Sequence, residues 1–191
     1  DSQITRRFVH FASKKAMNIE GLSEATLEKF LNLGYLHSFQ DIYHLEEHRE
    51  DIVALDGYGE KSFDRLWESI NASRRTSFVR YLVSMDIPMI GRTKSRILDT
   101  VFSGNLTAFE QAAVGDYDFT QLEDFGEILN HNIHSWFADE ANLDLWKNLQ
   151  NEFTFEQRKE ETIMTKENKF TRMYHRSNRE TGAFYQRRYQ R

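Results

Sequence analysis

The residues best suited to binding chemistry lie in one segment of the sequence, Gly57-Tyr58-Gly59-Glu60-Lys61-Ser62. A glycine directly before a helix leaves backbone N–H groups uncovered, and the helix dipole adds to their attraction for an anion. Lys61 and Ser62 would add a cation and a hydroxyl group in the first helical turn. The segment therefore predicts a phosphate site built from Gly57, Gly59, Lys61 and Ser62.

Three other segments resemble this one in part. Gly91-Arg92-Thr93-Lys94 is nearly as complete, whereas Gly21-Leu22-Ser23 has no cation close in sequence. The last segment ends at Gly126, but Asp124 occupies the glycine position, between Glu123 and Glu127, and these carboxylates would repel phosphate. For the charged residues the alternative is a solvated surface position. The phosphate-binding residues predicted in these three segments are Gly21, Ser23, Gly91, Arg92, Thr93, Lys94 and Gly126.

The four segments form an internal repeat. Ile19 to Ser23, Leu55 to Gly59, Ile87 to Gly91 and Leu122 to Gly126 align without gaps, and their last positions are 36, 32 and 35 residues apart. An apolar residue follows each last position after seven residues, which is two helical turns: Phe30, Leu66, Leu98 and Ile133. The repeat predicts four helix-hairpin-helix motifs. The alternative is ordinary helix caps in an all-α bundle.

The remaining patterns predict an all-α fold. Further helices are expected over residues 6–17, 39–45, 47–54, 77–85, 127–137 and 143–153. We expect residues 1–153 to form one compact domain, followed by a charged linker over 154–171. Residues 172–191 are rich in Arg, Tyr and Gln without a hydrophobic period, which predicts a disordered basic tail.

Composition narrows the function further. The chain has 191 residues, one Pro, no Cys and a net charge of -5, which excludes disulfides and thiolate metal sites. Residues 1–153 hold 15 basic and 25 acidic residues, a net charge of -10, whereas residues 154–191 hold 10 and 5. Any binding to nucleic acid must therefore come from locally placed groups. The absence of an apolar run near ~20 residues predicts no membrane contact and a cytoplasmic protein.

The segment Arg7-Phe-Val-His-Phe-Ala-Ser-Lys-Lys-Ala-Met-Asn-Ile-Glu-Gly-Leu, with the second and third repeats, resembles the helix-hairpin-helix domain of bacterial NAD-dependent DNA ligases over roughly residues 5–153. The resemblance implies sequence-independent binding of nicked double-stranded DNA, next to the other domains of a ligase that acts in replication and repair. It implies NAD and a divalent metal as cofactors of that ligase and zinc in its zinc finger, but no cofactor, catalytic residue or metal ligand in this segment.

The sequence departs from the ligase pattern by omission. It has no Lys-x-Asp-Gly adenylation motif, no cysteine for a zinc finger and no recognisable BRCT domain, and it starts at Asp1. We therefore expect a fragment that is not catalytic by itself. The alternatives are a DNA repair protein of another helix-hairpin-helix class and a helical protein-interaction module. A glycosylase would need a Gly/Pro-rich loop after the hairpin, with a catalytic Asp. The one proline of the sequence, Pro88, lies inside a predicted hairpin instead, which argues against a glycosylase.

Other residues receive structural interpretations. His131 and His134 are three apart on a predicted helix, but a surface or packing role is favoured over a metal site. Trp67, Trp136 and Trp146 are expected in the core. For residues 172–191 a second interpretation is an out-of-frame translation of the start of a BRCT domain. Codons for these residues can be chosen so that the same nucleotides, read one base later, encode a sequence that resembles the opening of such a domain.

Overall fold

The computed structural model describes residues 1–157, and in this part of the chain the fold is almost entirely helical. Ten α-helices follow one another: α1 (Ser2–Ala12), α2 (Glu24–Asn32), α3 (Phe39–Ile42), α4 (Arg49–Val53), α5 (Glu60–Ser73), α6 (Phe78–Ser84), α7 (Arg92–Val101), α8 (Leu106–Val114), α9 (Glu127–Ala138) and α10 (Glu140–Leu149). Short 3-10 helices cover Leu45–His48, Phe119–Gln121 and Gln150–Glu152. The all-α prediction is confirmed.

Each of the four repeated segments ends at the N-cap of a helix. Ser23, Gly59, Gly91 and Gly126 are the N-caps of α2, α5, α7 and α9. The helix that precedes each segment packs on the helix that follows it, so that α1 contacts α2, α4 contacts α5, α6 contacts α7, and α8 contacts α9. The apolar residues expected two turns into the second helix are buried: Phe30, Leu66, Leu98 and Ile133.

The helix bounds differ from the predicted ones where side chains compete for the backbone. Helix α1 ends at Ala12 instead of continuing to 17, because the Ser13 hydroxyl donates to the His10 carbonyl at 2.6 Å and Asn18 is left-handed, with φ 53°. Helix α8 was not predicted. Asn105 caps it by accepting from the Ala108 N–H at 2.9 Å, and this cap was its signal in the sequence.

Two short parallel strands were also not predicted. Strand β1 (Arg75–Thr76) lies between α5 and α6, and β2 (Thr154–Phe155) pairs with it. The Thr154 N–H donates to the Arg74 carbonyl at 2.7 Å, and the Glu156 N–H donates to the Thr76 carbonyl at 2.8 Å. The first residues assigned to the linker therefore pack against the helices. The rest of the linker and the tail at 172–191 lie outside the described residues.

Polar contacts also connect the first and second halves of the described chain. The Arg80 guanidinium of α6 donates to the Lys14 and Ala16 carbonyls at 3.0 and 2.8 Å, and His10 of α1 contacts the Val83 carbonyl at 2.7 Å. The carboxylate of Glu152 lies 2.8 Å from Arg74 and 2.8 Å from His44. No helix within residues 1–157 is long and apolar enough to cross a membrane.

Candidate nucleic-acid interface

The four repeated segments, which we call turns 1 to 4, have one backbone feature in common. The third residue of each is left-handed, at Gly21 (φ 91°), Gly57 (φ 81°), Met89 (φ 67°) and Asp124 (φ 65°). In turns 2, 3 and 4 the N–H of the fourth residue donates to the carbonyl of the first, at 3.0 to 3.2 Å. This bond, with a left-handed third residue, is typical of a type II turn. Met89 and Asp124 adopt the left-handed conformation although it is energetically unfavourable for residues other than glycine.

Turn 2 leaves the start of α5 open, as the sequence predicted. Gly59 is extended, with φ -172°, and a Cβ placed there would meet no atom within 4 Å. Lys61 is exposed in the first turn of the helix. The Ser62 hydroxyl accepts from the Gly59 N–H at 3.0 Å, so Ser62 caps the helix itself. The site that remains for an anion consists of the next N–H groups and Lys61.

Turn 3 is open in the same way, but one of its predicted residues points elsewhere. A Cβ at Gly91 would meet no atom within 4 Å, and Arg92 and Thr93 are exposed. The Lys94 ammonium group instead donates to the Asp124 carbonyl at 2.6 Å and lies 5.3 Å from the centre of the Phe125 ring. Lys94 therefore connects α7 to turn 4, whereas Arg92 is the cation that faces solvent at this helix start.

This position of Lys94 gives a prediction about the salt dependence of DNA binding. We expect Lys94→Ala to lower the free energy of unfolding by about 1 kcal/mol, because the Asp124 carbonyl loses a charged donor. The slope of log affinity against log salt concentration should change by well under the ~0.9 expected for one phosphate contact. Urea unfolding and a salt titration measure the two quantities. If the slope changed by about 0.9 and the stability did not change, Lys94 would contact a phosphate as the sequence predicted, and the contact with Asp124 would not matter.

Turns 1 and 4 offer less to a phosphate. A Cβ at Gly21 would lie 3.4 Å from Leu66 Cδ1, so this glycine allows close packing against α5, and the Ser23 hydroxyl caps the Thr26 N–H at 3.2 Å. Gly126 in turn 4 is open, but the exposed residues next to it are Glu123, Asp124 and Glu127. The structure thus leaves turns 2 and 3 as the two open sites with a cation.

The turns contact one another's helices in two reciprocal pairs, and the first pair joins turns 1 and 2. The Glu20 N–H of turn 1 donates to Ser69 of α5 at 2.7 Å. In return, the Tyr58 hydroxyl of turn 2 donates to Thr26 of α2 at 3.1 Å.

The second pair repeats this exchange between turns 3 and 4. The Asn132 amide of α9 donates to the Pro88 carbonyl of turn 3 at 2.9 Å, and Lys94 of α7 donates to turn 4. Thr26 and Lys94 occupy the same position of the repeat, three residues after Ser23 and Gly91. The same position of the repeat therefore contacts the neighbouring turn in both pairs.

The basic residues at the turns differ from several others in having no carboxylate partner. Arg49, Arg74, Arg75 and Lys147 each form an ion pair with a carboxylate. Within residues 1–157, Lys61, Arg65 and Arg92 form no ion pair, and all three side chains are exposed. Arg65 was not singled out by the sequence analysis. Arg6, Arg7, Lys14, Lys15 and Arg96 are also exposed without an ion pair, but Lys61 and Arg92 lie in the first turns of the helices that turns 2 and 3 begin, and Arg65 also lies on α5.

The histidine and tryptophan residues considered in the sequence analysis contact the protein's own backbone or core. The two ring nitrogens of His134 lie 2.8 and 2.7 Å from the carbonyl oxygens of Ala113 and Tyr117, and residues 1–157 contain no group of three or more potential metal ligands. Trp146 is fully buried, and Trp67 and Trp136 are partly buried against the core, which confirms the packing role expected for the tryptophans.

No family model matches the chain, but individual proteins do. A protein named DNA ligase from Ruminiclostridium cellulolyticum is 35% identical over 152 residues, which are 80% of this chain and 23% of that ligase. DNA ligases from Spiroplasma citri and Acinetobacter baylyi are each 37% identical, over 73% and 71% of this chain and 20% of their own lengths. The chain is related in sequence to DNA ligases. It spans about a fifth of the length of these relatives.

Proposed function

We propose that this chain binds duplex DNA through backbone phosphates, as the helix-hairpin-helix segment of an NAD-dependent DNA ligase. The observation that carries the proposal is the open helix start after Gly59 and Gly91, each with an exposed cation that has no carboxylate partner within residues 1–157. The names of the sequence relatives support DNA as the polymer that carries the phosphates.

Contacts of this kind do not read the base sequence. Backbone N–H groups and the side chains of Lys61 and Arg92 reach phosphate oxygens, which are the same at every base pair. Each contact is a charge-assisted hydrogen bond or an ion pair, so binding is governed by salt concentration. The predicted binding is therefore sequence-independent.

The reciprocal pairs suit a duplex because they place two turns side by side. In the first pair, turn 2 carries the open helix start and turn 1 lies next to it; in the second pair, turn 3 carries the open start and turn 4 lies next to it. In this arrangement turns 2 and 3 would supply the phosphate contacts, one from each pair, and hairpins arranged in this way can position a protein on both strands without reading bases. The phosphates of both strands would then be contacted across a minor groove.

In this proposal the chemistry of joining belongs to other parts of the ligase. NAD, a divalent metal and zinc would be held there, and the segment would position nicked double-stranded DNA for them during replication and repair. The place of action would be the cytoplasm.

A salt titration tests the proposal. We expect the chain to bind labelled nicked duplex with an affinity that falls steeply as salt rises, and Lys61→Gln to reduce the slope of log affinity against log salt by about 0.9. Lys147→Gln is the matched control, because it removes the same charge from α10, where Lys147 faces Glu110 at 4.0 Å. Binding that is absent, or insensitive to salt, would reject the proposal.

One observation favours a second candidate function, a protein-interaction module. Residues 101–157 contain one basic residue, Lys147, and 11 acidic residues. This surface would attract a basic protein and repel DNA. The same titration separates the two functions, because a module of this kind would not bind the duplex at low salt.

A further inference from the structure

Turns 1 and 2 border a groove that the phosphate sites do not explain. It has a volume of about 710 Å³ and lies between turn 1 and α5. Glu20 and Gly21 of turn 1 line one part of it, and Tyr58, Ser62, Arg65 and Glu68 line the part formed by turn 2 and α5. The groove therefore lies between the two turns of the first pair.

Arg65 has an equivalent in the other helix of the same pair. It stands six residues after Gly59, and the residue six positions after Ser23 is Lys29. The Lys29 ammonium group lies 5.4 Å from the centre of the Tyr58 ring, so each cation of the pair lies beside the opposite turn. The register of the repeat thus places two cations symmetrically about the contact between turns 1 and 2.

The second pair lacks this feature. Its equivalent positions, six residues after Gly91 and Gly126, are Ile97 and Asn132. Asn132 is neutral and is engaged with the Pro88 carbonyl of turn 3. The second pair is therefore uncharged at these two positions, and the cation that it has at the contact, Lys94, is hydrogen-bonded to the Asp124 carbonyl.

We propose that Arg65, supported by Lys29, enters the DNA minor groove from the groove between turns 1 and 2. This inference rests on the proposed function: if turn 2 holds a phosphate of one strand, a cation that lines the groove beside that turn would lie at the edge of the minor groove next to that strand. A narrow minor groove, as in A-tracts, has an enhanced negative potential that attracts arginine. The first pair would then sense groove width without reading individual bases.

The surroundings of Arg65 agree with this role and set its strength. Within residues 1–157 its guanidinium group has no ion pair, although Glu20 and Glu68 also line the groove. These carboxylates make the electrostatic potential around Arg65 less positive, which weakens its attraction to DNA. The preference for duplexes with a narrow minor groove should therefore be modest. Removing one charge by Glu68→Gln should strengthen binding to an A-tract duplex.

The test compares two duplexes of equal length, one with a central A-tract and one with G·C pairs at the same place. The wild-type chain should bind the A-tract duplex a few-fold more tightly, and Arg65→Gln should remove that preference. Arg65→Lys should keep part of it, because lysine retains the charge but is more strongly hydrated. Lys61→Gln is the matched control, which should weaken binding to both duplexes equally. Circular dichroism checks that each variant is folded.

The outcomes separate this inference from the proposed function. Salt-dependent binding by the wild-type chain without an A-tract preference, or with a preference that survives in folded Arg65→Gln, overturns the role of Arg65 and leaves phosphate binding in place. Failure of the wild-type chain to bind either duplex overturns both.

Discussion

Replacing Gly59 and Gly91 together by threonine should lower the affinity for duplex DNA by roughly a hundredfold, or about 3 kcal/mol, since hydrogen bonds to charged groups are each worth about 1.5–3 kcal/mol. Threonine caps a helix about as well as glycine, so α5 and α7 should remain folded. Both glycines have backbone angles that other residues can adopt, and their surroundings are open. The branched side chain would occupy the space that a phosphate must enter. Fluorescence anisotropy with a labelled nicked duplex measures the loss.

Gly126→Thr provides the control for this experiment. Gly126 is also an open helix N-cap, at the start of α9, so the substitution has the same local chemistry. Because Glu123, Asp124 and Glu127 repel phosphate at turn 4, the affinity should change by less than about twofold. A hundredfold loss in Gly126→Thr as well would contradict this expectation, because turn 4 alone would then contribute as much as turns 2 and 3 together in spite of its acidic residues.

Trp146→Ala should have the largest effect on stability, a loss of about 3–5 kcal/mol in the free energy of unfolding. The side chain is fully buried, and its ring lies 4.8 Å from Tyr81, 5.2 Å from Phe137 and 5.8 Å from Phe109. Removing it leaves a cavity between α6, α8, α9 and α10. Urea denaturation followed by circular dichroism measures the change.

A second variant shows whether the loss comes from packing. Within residues 1–157 the Trp146 indole N–H is buried without a hydrogen-bond partner, so Trp146→Phe removes an unsatisfied donor as well as part of the ring. We expect its cost to be less than half that of the alanine variant. A loss under about 1 kcal/mol for Trp146→Ala would mean that the surrounding rings close the cavity.

The sequence predicted features that depend on neighbouring residues, and it missed those that depend on distant ones. The turns and the helix starts at Gly59 and Gly91 follow from local backbone preferences, so the repeat located them correctly. The role of Lys94 depends on a carbonyl group 30 residues away, at Asp124, which no local pattern reveals. Strand β2 was missed because two residues are too few to show a period.

Arg65 was missed for a different reason. Its signal was present in the sequence, because the repeat register aligns it with Lys29, Ile97 and Asn132. However, an arginine on the polar side of an amphipathic helix is ordinary, and only the contact between turns 1 and 2 makes its position unusual. The sequence supplied the register, and the pairing of the turns required the tertiary structure.

The small parallel sheet has a mechanical consequence for a bound duplex. Strand β1 is the connection between the two pairs of turns, and β2 is hydrogen-bonded along it, while Glu152 joins Arg74 to His44 beside it. We expect a connection braced in this way to resist bending, which would limit changes in the distance between the two pairs. Under the proposed function, a duplex held by both pairs would have to adjust its own curvature to that distance, and DNA bending has an energetic cost. A nick relieves part of the stiffness of the duplex, so a rigid spacer of this kind would favour broken DNA over intact DNA without touching the break.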